Sequence, residues 1–421
     1  MYASTPTALA AALVTAAVAL TATSVSAAPG VPSTERITVS STGEQGTDYA
    51  AGPQLSANGR YAAFASHAPN LVAGDTNGVE DSFVRDLRTG RVERISLTSD
   101  GTQADGGTKP VAISANGRYV VLVSTADNLT DWPAPKEYWA QDVYVHDRVT
   151  HRTERVSETL DGGSAYAHGA AAISDDGRYV AFTARPNRME SGQTVIYPAV
   201  YVTDRRTGTI ERTTNRDQPE WGSYHLDMSA DGRYVVYDRF GPRGGGGAMM
   251  VHDRRTGTEE RVDVTPQGTP AQYYGLDPSL SADGRYVAFT YRGDDLLPDG
   301  TAASTSTYVR DLRNDTTRGI AHGGPGGPAV IAGAEISGNG RYVAYGFRAE
   351  QGQDNIYVRD LRTGTSSLAS ESVTGGPVTD ESVYATSFGG DDKLLGLGSG
   401  SAQLVTGDTN GVTDGFLRRL R

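Results

Sequence analysis

Two segments of this 421-residue chain carry the oxygen-rich pattern Gly-Asp-Thr-Asn-Gly-Val-x-Asp. One supplies Asp75, Asn77 and Asp81, the other Asp408, Asn410 and Asp414. Carboxylate and amide oxygens around a Gly-centred turn are the hard ligands that calcium takes. The acidic residue expected two positions before each first Asp is replaced by Ala73 and Thr406, so an ion here would meet few charges. The competing reading is an Asx-type turn that starts a strand.

A second group is aromatic and lies between residues 132 and 274. Trp132, Tyr138 and Trp139 fall in one segment, and Trp221, Tyr224 and His225 in another. Tyr166, His168, Tyr197, Tyr273 and Tyr274 complete it, with Asp131, Glu137, Asp217 and Glu220 alongside. Sugar C–H faces pack on such rings while sugar hydroxyls bond carboxylates, and the same residue types serve a peptide partner. The alternative is that these rings pack long loops onto a sheet. No Gly-x-Ser-x-Gly is present; "GLGSGS" at 396–401 does not fit and reads as a strand. The chain has no Cys, which removes thiol catalysis and disulfides. A net charge of −12 without a basic cluster disfavours nucleic acid.

What positions these residues is a repeat. "LSANGRYAAFAS" (55–66) returns as "ISANGRYVVLVS", "ISDDGRYVAFTA", "MSADGRYVVYDR", "LSADGRYVAFTY" and "ISGNGRYVAYGF", then in eroded form as "FGGDDKLLGLGS" (388–399). The Arg or Lys of each copy stands at 60, 118, 178, 233, 285, 341 and 393. Seven units of one kind argue for a single repeat domain, placed at 28–421. Each unit reads as four strands. A short apolar run ending in Ser (strand a) meets an Asn-Gly or Asp-Gly hairpin turn. "RYVAF" (strand b) is apolar on both faces and must be covered on both. A variable loop leads to "VYVHD" or "IYVRD" (strand c), and an "RTG" turn to "VERIS" or "TERVS" (strand d). The expected fold is an all-β, seven-bladed β-propeller of four-stranded antiparallel blades. The seventh unit stops at "FLRRL" without strand d, whereas "TERITVSS" (34–41) matches a strand d ahead of the first unit. The N-terminal strand is therefore expected to close the last blade, which removes free sheet edges.

Residues 1–27 read as a secretory signal peptide, cleaved near Ala27. The apolar stretch Ala8–Ala22 is too short to span a bilayer, and "VSA" offers small residues for cleavage, although "MYASTPT" lacks a basic residue. The expectation is a secreted or cell-envelope monomer with no membrane span.

The "SADGRYVAF…IYVRDLRTG" pattern resembles the TolB-type propeller repeat, a relative of WD-type repeats. Blades 1–6 match well and blade 7 poorly, and Ala, Asp or Gly stands where the family often has Pro. The α/β domain that precedes the propeller in TolB has no counterpart here, so the resemblance implies a fold and not a role in the Tol system. Some propellers similar to TolB are polysaccharide lyases with a metal held by His and other ligands near the central channel. Here the channel-side candidates His168, His225, Asp227, Asp277 and Glu335 show no metal-ligand spacing.

The repeated Arg opens strand b and the repeated Asp ends strand c, so Arg60/Asp86, Arg118/Asp147, Arg178/Asp204, Arg233/Asp253, Arg285/Asp311 and Arg341/Asp360 are expected cross-strand pairs. A ring of Arg for an anion is the alternative. Blade 7 sets Lys393 against Arg419, which cannot pair. His146 and His252 occupy a strand-c slot held elsewhere by Arg or Thr. The a–b and c–d turns lie on one face and hardly vary, while the long b–c and d–a loops lie on the other and carry the aromatic group. The favoured reading is a binding propeller that presents this face to an extracellular glycan or protein, with no cofactor required and calcium as an option. A carbohydrate-active lyase or hydrolase on the same face is the alternative, favoured if His225 and two carboxylates converge in a cavity. A cell-envelope scaffold without a small ligand is the third reading. Removal of residues 28–41 is predicted to unfold or aggregate the protein; a truncated chain that melts like the longer one contradicts closure by this strand.

Overall fold

A computed structural model describes residues 33–420 except 132–139, 161–162, 194–196, 215–221, 242–245, 299–305, 323–329 and 349–351. The signal-peptide segment and the candidate residues Trp132, Tyr138, Trp139 and Trp221 lie outside the described residues, as do Glu137, Asp217 and Glu220. Seven antiparallel four-stranded sheets form the expected seven-bladed propeller. In blade 1 strands a to d are Gln54–Leu55, Tyr61–Ser66, Asp81–Asp86 and Val92–Arg94. Blade 7 is Val383–Gly389, Leu394–Ser399 and Asp414–Arg419, completed by Ser33–Arg36. That N-terminal strand runs antiparallel to the last one, with Ser33 opposite Arg419 and Arg36 opposite Phe416. No described helix is long and apolar enough to cross a membrane.

Strand b is apolar on both faces because each sheet is sandwiched. Val120, Val121 and Leu122 are all fully buried. Val120 and Leu122 pack with Ala63 and Val84 of blade 1, whereas Val121 packs with Val180 and Phe182 of blade 3. Seven such apolar clusters span the seven seams between neighbouring blades.

The Ser-x-Asn/Asp-Gly-Arg-Tyr motif builds the a–b turn. Ser114 Oγ accepts from Tyr119 N at 3.0 Å and donates to Asn116 Oδ1, which also accepts from Arg118 N at 2.9 Å. Gly117 has φ +73°, and a Cβ there would lie 2.1 Å from the ring of Tyr61 in the preceding blade. The same tyrosine–glycine contact recurs as Tyr119–Gly177, Tyr179–Gly232, Tyr234–Gly284 and Tyr286–Gly340. The turns also bond to one another around the channel. Asn58 N donates to Ala115 O, Ala115 N to Asp175 O, Asp175 N to Ala230 O, Ala230 N to Ala282 O, and Ala282 N to Gly338 O, at 2.8–3.1 Å. Gly338 N then donates to the Asp392 carboxylate at 2.8 Å, and Asp391 N to Ala57 O at 3.0 Å, which closes the ring.

All six Arg–Asp pairs form as expected, with N–O separations of 2.5–2.8 Å. Each Asp also accepts from the backbone of the c–d turn, as Asp86 does from Arg88 N at 2.9 Å. Burial alone would raise the Asp86 carboxyl, but the Arg60 hydrogen bond, the turn amides and the Arg60 charge together outweigh it and pull the carboxyl down to about 2. These arginines are thereby committed, and a free anion-binding ring is not what they form. In blade 7 Arg419 turns away from Lys393 and meets Glu35 of the N-terminal strand at 3.0 Å. His146 is buried with Nδ1 2.9 Å from Thr153 Oγ1, and His252 is half-buried in its own strand.

Gly117→Ala is expected to cost about 1–2 kcal/mol for the left-handed conformation and about 1–3 kcal/mol more for overpacking Tyr61. Gly101 has φ +88° with open space around it, so Gly101→Ala carries only the first cost. Denaturant melts of the two variants check this; equal losses contradict the interlock.

Candidate functional site

Each of the two oxygen-rich loops holds a cation supplied by the chain itself. Arg94 of strand d lies 3.2 Å from Asp75 and 3.4 Å from Asp81. Arg36 of the N-terminal strand lies 2.8 Å from Asp408 and 3.2 Å from Asp414. A guanidinium therefore takes the charge that an ion would have balanced. Asn77 and Asn410 tie the loops down through Ala104 O and Gly46 O at 3.0 Å. Asp81 and Asp414 are fully buried and accept from Ser96 and Thr38, the hydroxyl residues that follow strand d. No group of three or more His, Asp or Glu among the described residues is arranged to hold a metal.

The aromatic group behaves differently. His168, Tyr224, Phe240 and Tyr274 form a chain of ring contacts across blades 3 to 5, with centroids 5.5, 5.8 and 4.9 Å apart. Tyr166 lies under Arg185, 4.4 Å from the guanidinium carbon. Tyr197 and Tyr273 are exposed, and Tyr273 meets the edge of Tyr291. Phe240 is an addition that the aromatic reading of the loops did not include, because it ends strand b of blade 4 (Tyr234–Phe240) and not a loop.

Beside this chain, at the mouth of the central channel, a cleft of about 340 Å³ is lined by His225, Asp277 and Glu335 with Leu226, Pro278 and Gly333. Two of the acids owe their aim to bulges in the innermost strands. Asp277 sits at a register shift in strand a of blade 5 (Leu276–Leu280), with φ +50°. Glu335 follows a register shift in strand a of blade 6 (Val330–Ile336). Bulges and left-handed non-glycine residues redirect side chains and collect at functional sites.

His225 is anchored from below. Asp238 is fully buried in strand b of blade 4 and accepts from His225 Nδ1, from Tyr224 N at 2.8 Å and from His225 N at 3.0 Å. This bond raises the His225 pKa against the opposing effect of burial. Nε2 is left at the cleft, 3.9 Å from Asp277 Oδ1. His225 thus meets one carboxylate in the cleft, Asp277, and an unforeseen one, Asp238, that is fully buried and does not line it. Asp238 was legible as an outlier: its position in strand b holds Ala65, Val123, Thr183, Thr290, Gly346 or Gly398 in the other blades.

Deeper in the channel wall, Asp227 accepts from Met228 N and Leu280 N, both at 2.7 Å. Ser279 Oγ bridges the neighbouring acid, donating to Glu335 Oε2 at 3.2 Å and accepting from Ile336 N at 3.0 Å. Both acids touch channel solvent yet are packed round by protein. Burial pushes Asp227 up to about 6. Burial and then the charge of Asp227 push Glu335 up to about 8. The cleft therefore pairs an imidazole held ready for a proton with a carboxylic acid that keeps its own at neutral pH.

The fold is a seven-bladed β-propeller with a polar cleft at the mouth of its channel. No protein-family model and no curated protein matches the chain. Among solved structures it is similar to an oligogalacturonate lyase in complex with manganese, at 13% identity and TM-score 0.57, covering 92% of this chain and 93% of that one. A second oligogalacturonate lyase, from Vibrio parahaemolyticus, gives 12%, 0.56 and the same coverage. TolB from Acinetobacter baumannii gives 16% identity and TM-score 0.43; the match covers 76% of this chain and 62% of that protein's length. The propeller domain of the Trilobed protease from Pyrococcus furiosus is similar at 13% and 0.50, and is described as having an open velcro topology. Here the ring is closed by the N-terminal strand.

Glu335 binds its proton more tightly folded than unfolded, so its contribution to stability is full below about pH 4.5 and declines as pH rises to about 8. Asp227 acts in the same direction between about 3.8 and 6. Glu335→Gln is predicted to melt above the parent protein at pH 9 and level with it at pH 4. An equal difference at both pH values contradicts a buried, protonated Glu335.

Proposed function

We propose that this is a secreted or cell-envelope propeller, delivered by the signal peptide at 1–27, that binds a hydroxyl-rich ligand of glycan type at the channel mouth of blades 3 to 6. One observation carries the reading: His225, Asp277 and Glu335 line a single cleft next to the chain of rings His168, Tyr224, Phe240 and Tyr274. Rings offer a face to sugar C–H groups, and the acids and imidazole offer donors and acceptors to hydroxyls. Among the described residues the cleft wall presents carboxyl groups and no Lys or Arg. Neutral sugars therefore suit it better than uronates, even though two structural neighbours are oligogalacturonate lyases.

A second reading, proton transfer on the bound sugar, is favoured by the His225–Asp238 pair facing a protonated Glu335 across one cleft. Nε2 of His225 would take a proton from a water as the water's oxygen bonds to the sugar's anomeric carbon, while Glu335 would protonate the glycosidic oxygen as the bond from that carbon breaks. No step in this reading uses a metal.

Glycan-array screening of the mature protein is expected to find ligands whose binding falls about tenfold or more in Tyr224→Ala and in Asp277→Asn. Binding that ignores both changes overturns the site. Mass spectrometry of each bound glycan after incubation separates the readings: cleavage abolished by His225→Ala makes the protein an enzyme, and an unchanged glycan makes it a binder.

A further inference from the structure

On the opposite face, three seams between blades are filled by an arginine that follows strand c. Arg148 of blade 2 lies 4.1 Å above the Tyr61 ring of blade 1, with Nε 2.6 Å from Glu93 and a further bond to Gly117 O. Arg205 repeats this over Tyr119 at 4.3 Å, with Glu154 at 2.7 Å and Gly177 O. Arg254 repeats it over Tyr179 at 4.3 Å, with Glu211 and Gly232 O. Each slot thus consists of a tyrosine face, a strand-d carboxylate and a turn carbonyl, all satisfied by one guanidinium.

At the next seam the slot is present and its arginine is not. Tyr234, Glu260 and Gly284 stand in the three positions, but Leu312 takes the place of the arginine. A cleft of about 450 Å³ opens there, lined by those four residues. The equivalent acids Glu93, Glu154, Glu211 and Glu35 each have a guanidinium within 4.0 Å. Glu260 is exposed and makes no such pair among the described residues. Of the other charged residues in the cleft wall, Asp253 pairs with Arg233, Arg285 with Asp311, and Asp283 accepts from Ser281 Oγ and Arg285 N, while Arg313 is exposed and makes no ion pair among the described residues; Arg310, whose field reaches Glu260, pairs with Asp315. The following seam is no second slot, because Arg318 stands where the acid would be.

We propose that this seam between blades 4 and 5 is a docking slot for an arginine side chain of a partner polypeptide, which enters over Tyr234 and pairs with Glu260 as Arg148, Arg205 and Arg254 do within the chain. Arginine suits it better than lysine because the flat guanidinium stacks on a ring while its N–H groups bond a carboxylate and a carbonyl together. The slot lies on the face away from the channel mouth, so a partner here leaves the proposed glycan cleft open.

The test titrates the protein with the peptide acetyl-Gly-Arg-Gly-amide, followed by backbone NMR shifts, against the same peptide with citrulline in place of arginine. Shifts are expected to centre on Gly284 and Glu260 with the arginine peptide and to weaken about tenfold or more with citrulline. Glu260→Gln should weaken binding to the same degree without changing the melting temperature. Leu312→Arg should fill the slot from within, abolish peptide binding and raise the melting temperature. His225→Ala should leave peptide binding unchanged, which keeps this result separate from that at the channel mouth. No shifts with the arginine peptide, equal shifts with citrulline, or binding that survives both Glu260→Gln and Leu312→Arg overturns the proposal.

Discussion

The structure depends on how one turn meets the next. Five of the seven a–b turns place a glycine in a left-handed conformation under the tyrosine of the preceding blade, as Gly117 lies under Tyr61. The turns are linked by hydrogen bonds that pass from blade to blade and return to the first. A ring of this kind tolerates little variation, because a Cβ at the glycine strikes a ring that is itself held between arginines. Tyr61 carries Arg60 at 4.9 Å and Arg148 at 4.1 Å. The motif that looks most like a functional signature is thereby absorbed by assembly.

That constraint divides the molecule. The short-turn face is occupied by Arg–Asp pairs and tyrosine stacks, and the long-loop face is free to vary. The channel mouth exploits this freedom through two bulged inner strands and a buried carboxylate in strand b. Asp238 holds His225 in place, while burial keeps Glu335 protonated. Where the repeat lapses, at Leu312, the regular face also gains an opening.

Much of this was legible in the sequence. Turn motifs and strand runs recur within each unit, so the blades, the closing strand and the Arg–Asp pairs could be read from local pattern and antiparallel geometry. Contacts across a seam join residues about one repeat of some 50–60 positions apart, and no local period records them. Arg94 and Arg36 were missed although each lies in the same blade as its oxygen-rich loop: the strand-d arginine was read only as part of a repeated strand motif, and calcium was considered instead. Asp238 was missed for a different reason: strand b was read for its apolar run, and the one charged residue in it was not weighed. The bulges that aim Asp277 and Glu335 leave no mark in composition. Among the aromatic residues, the sequence placed His168, Tyr224 and Tyr274 on one face, and the structure adds that Phe240 links them.

The central claim is that the tyrosine–glycine interlock between successive turns holds the blades together. A double-mutant cycle on Tyr61→Ala and Gly117→Ala, measured by denaturant unfolding, tests it most directly. The account predicts that Gly117→Ala costs at least about 1 kcal/mol less once Tyr61 is truncated, because the clash is gone. Costs that add to within about 0.5 kcal/mol would show that the two residues do not act on each other and would contradict it.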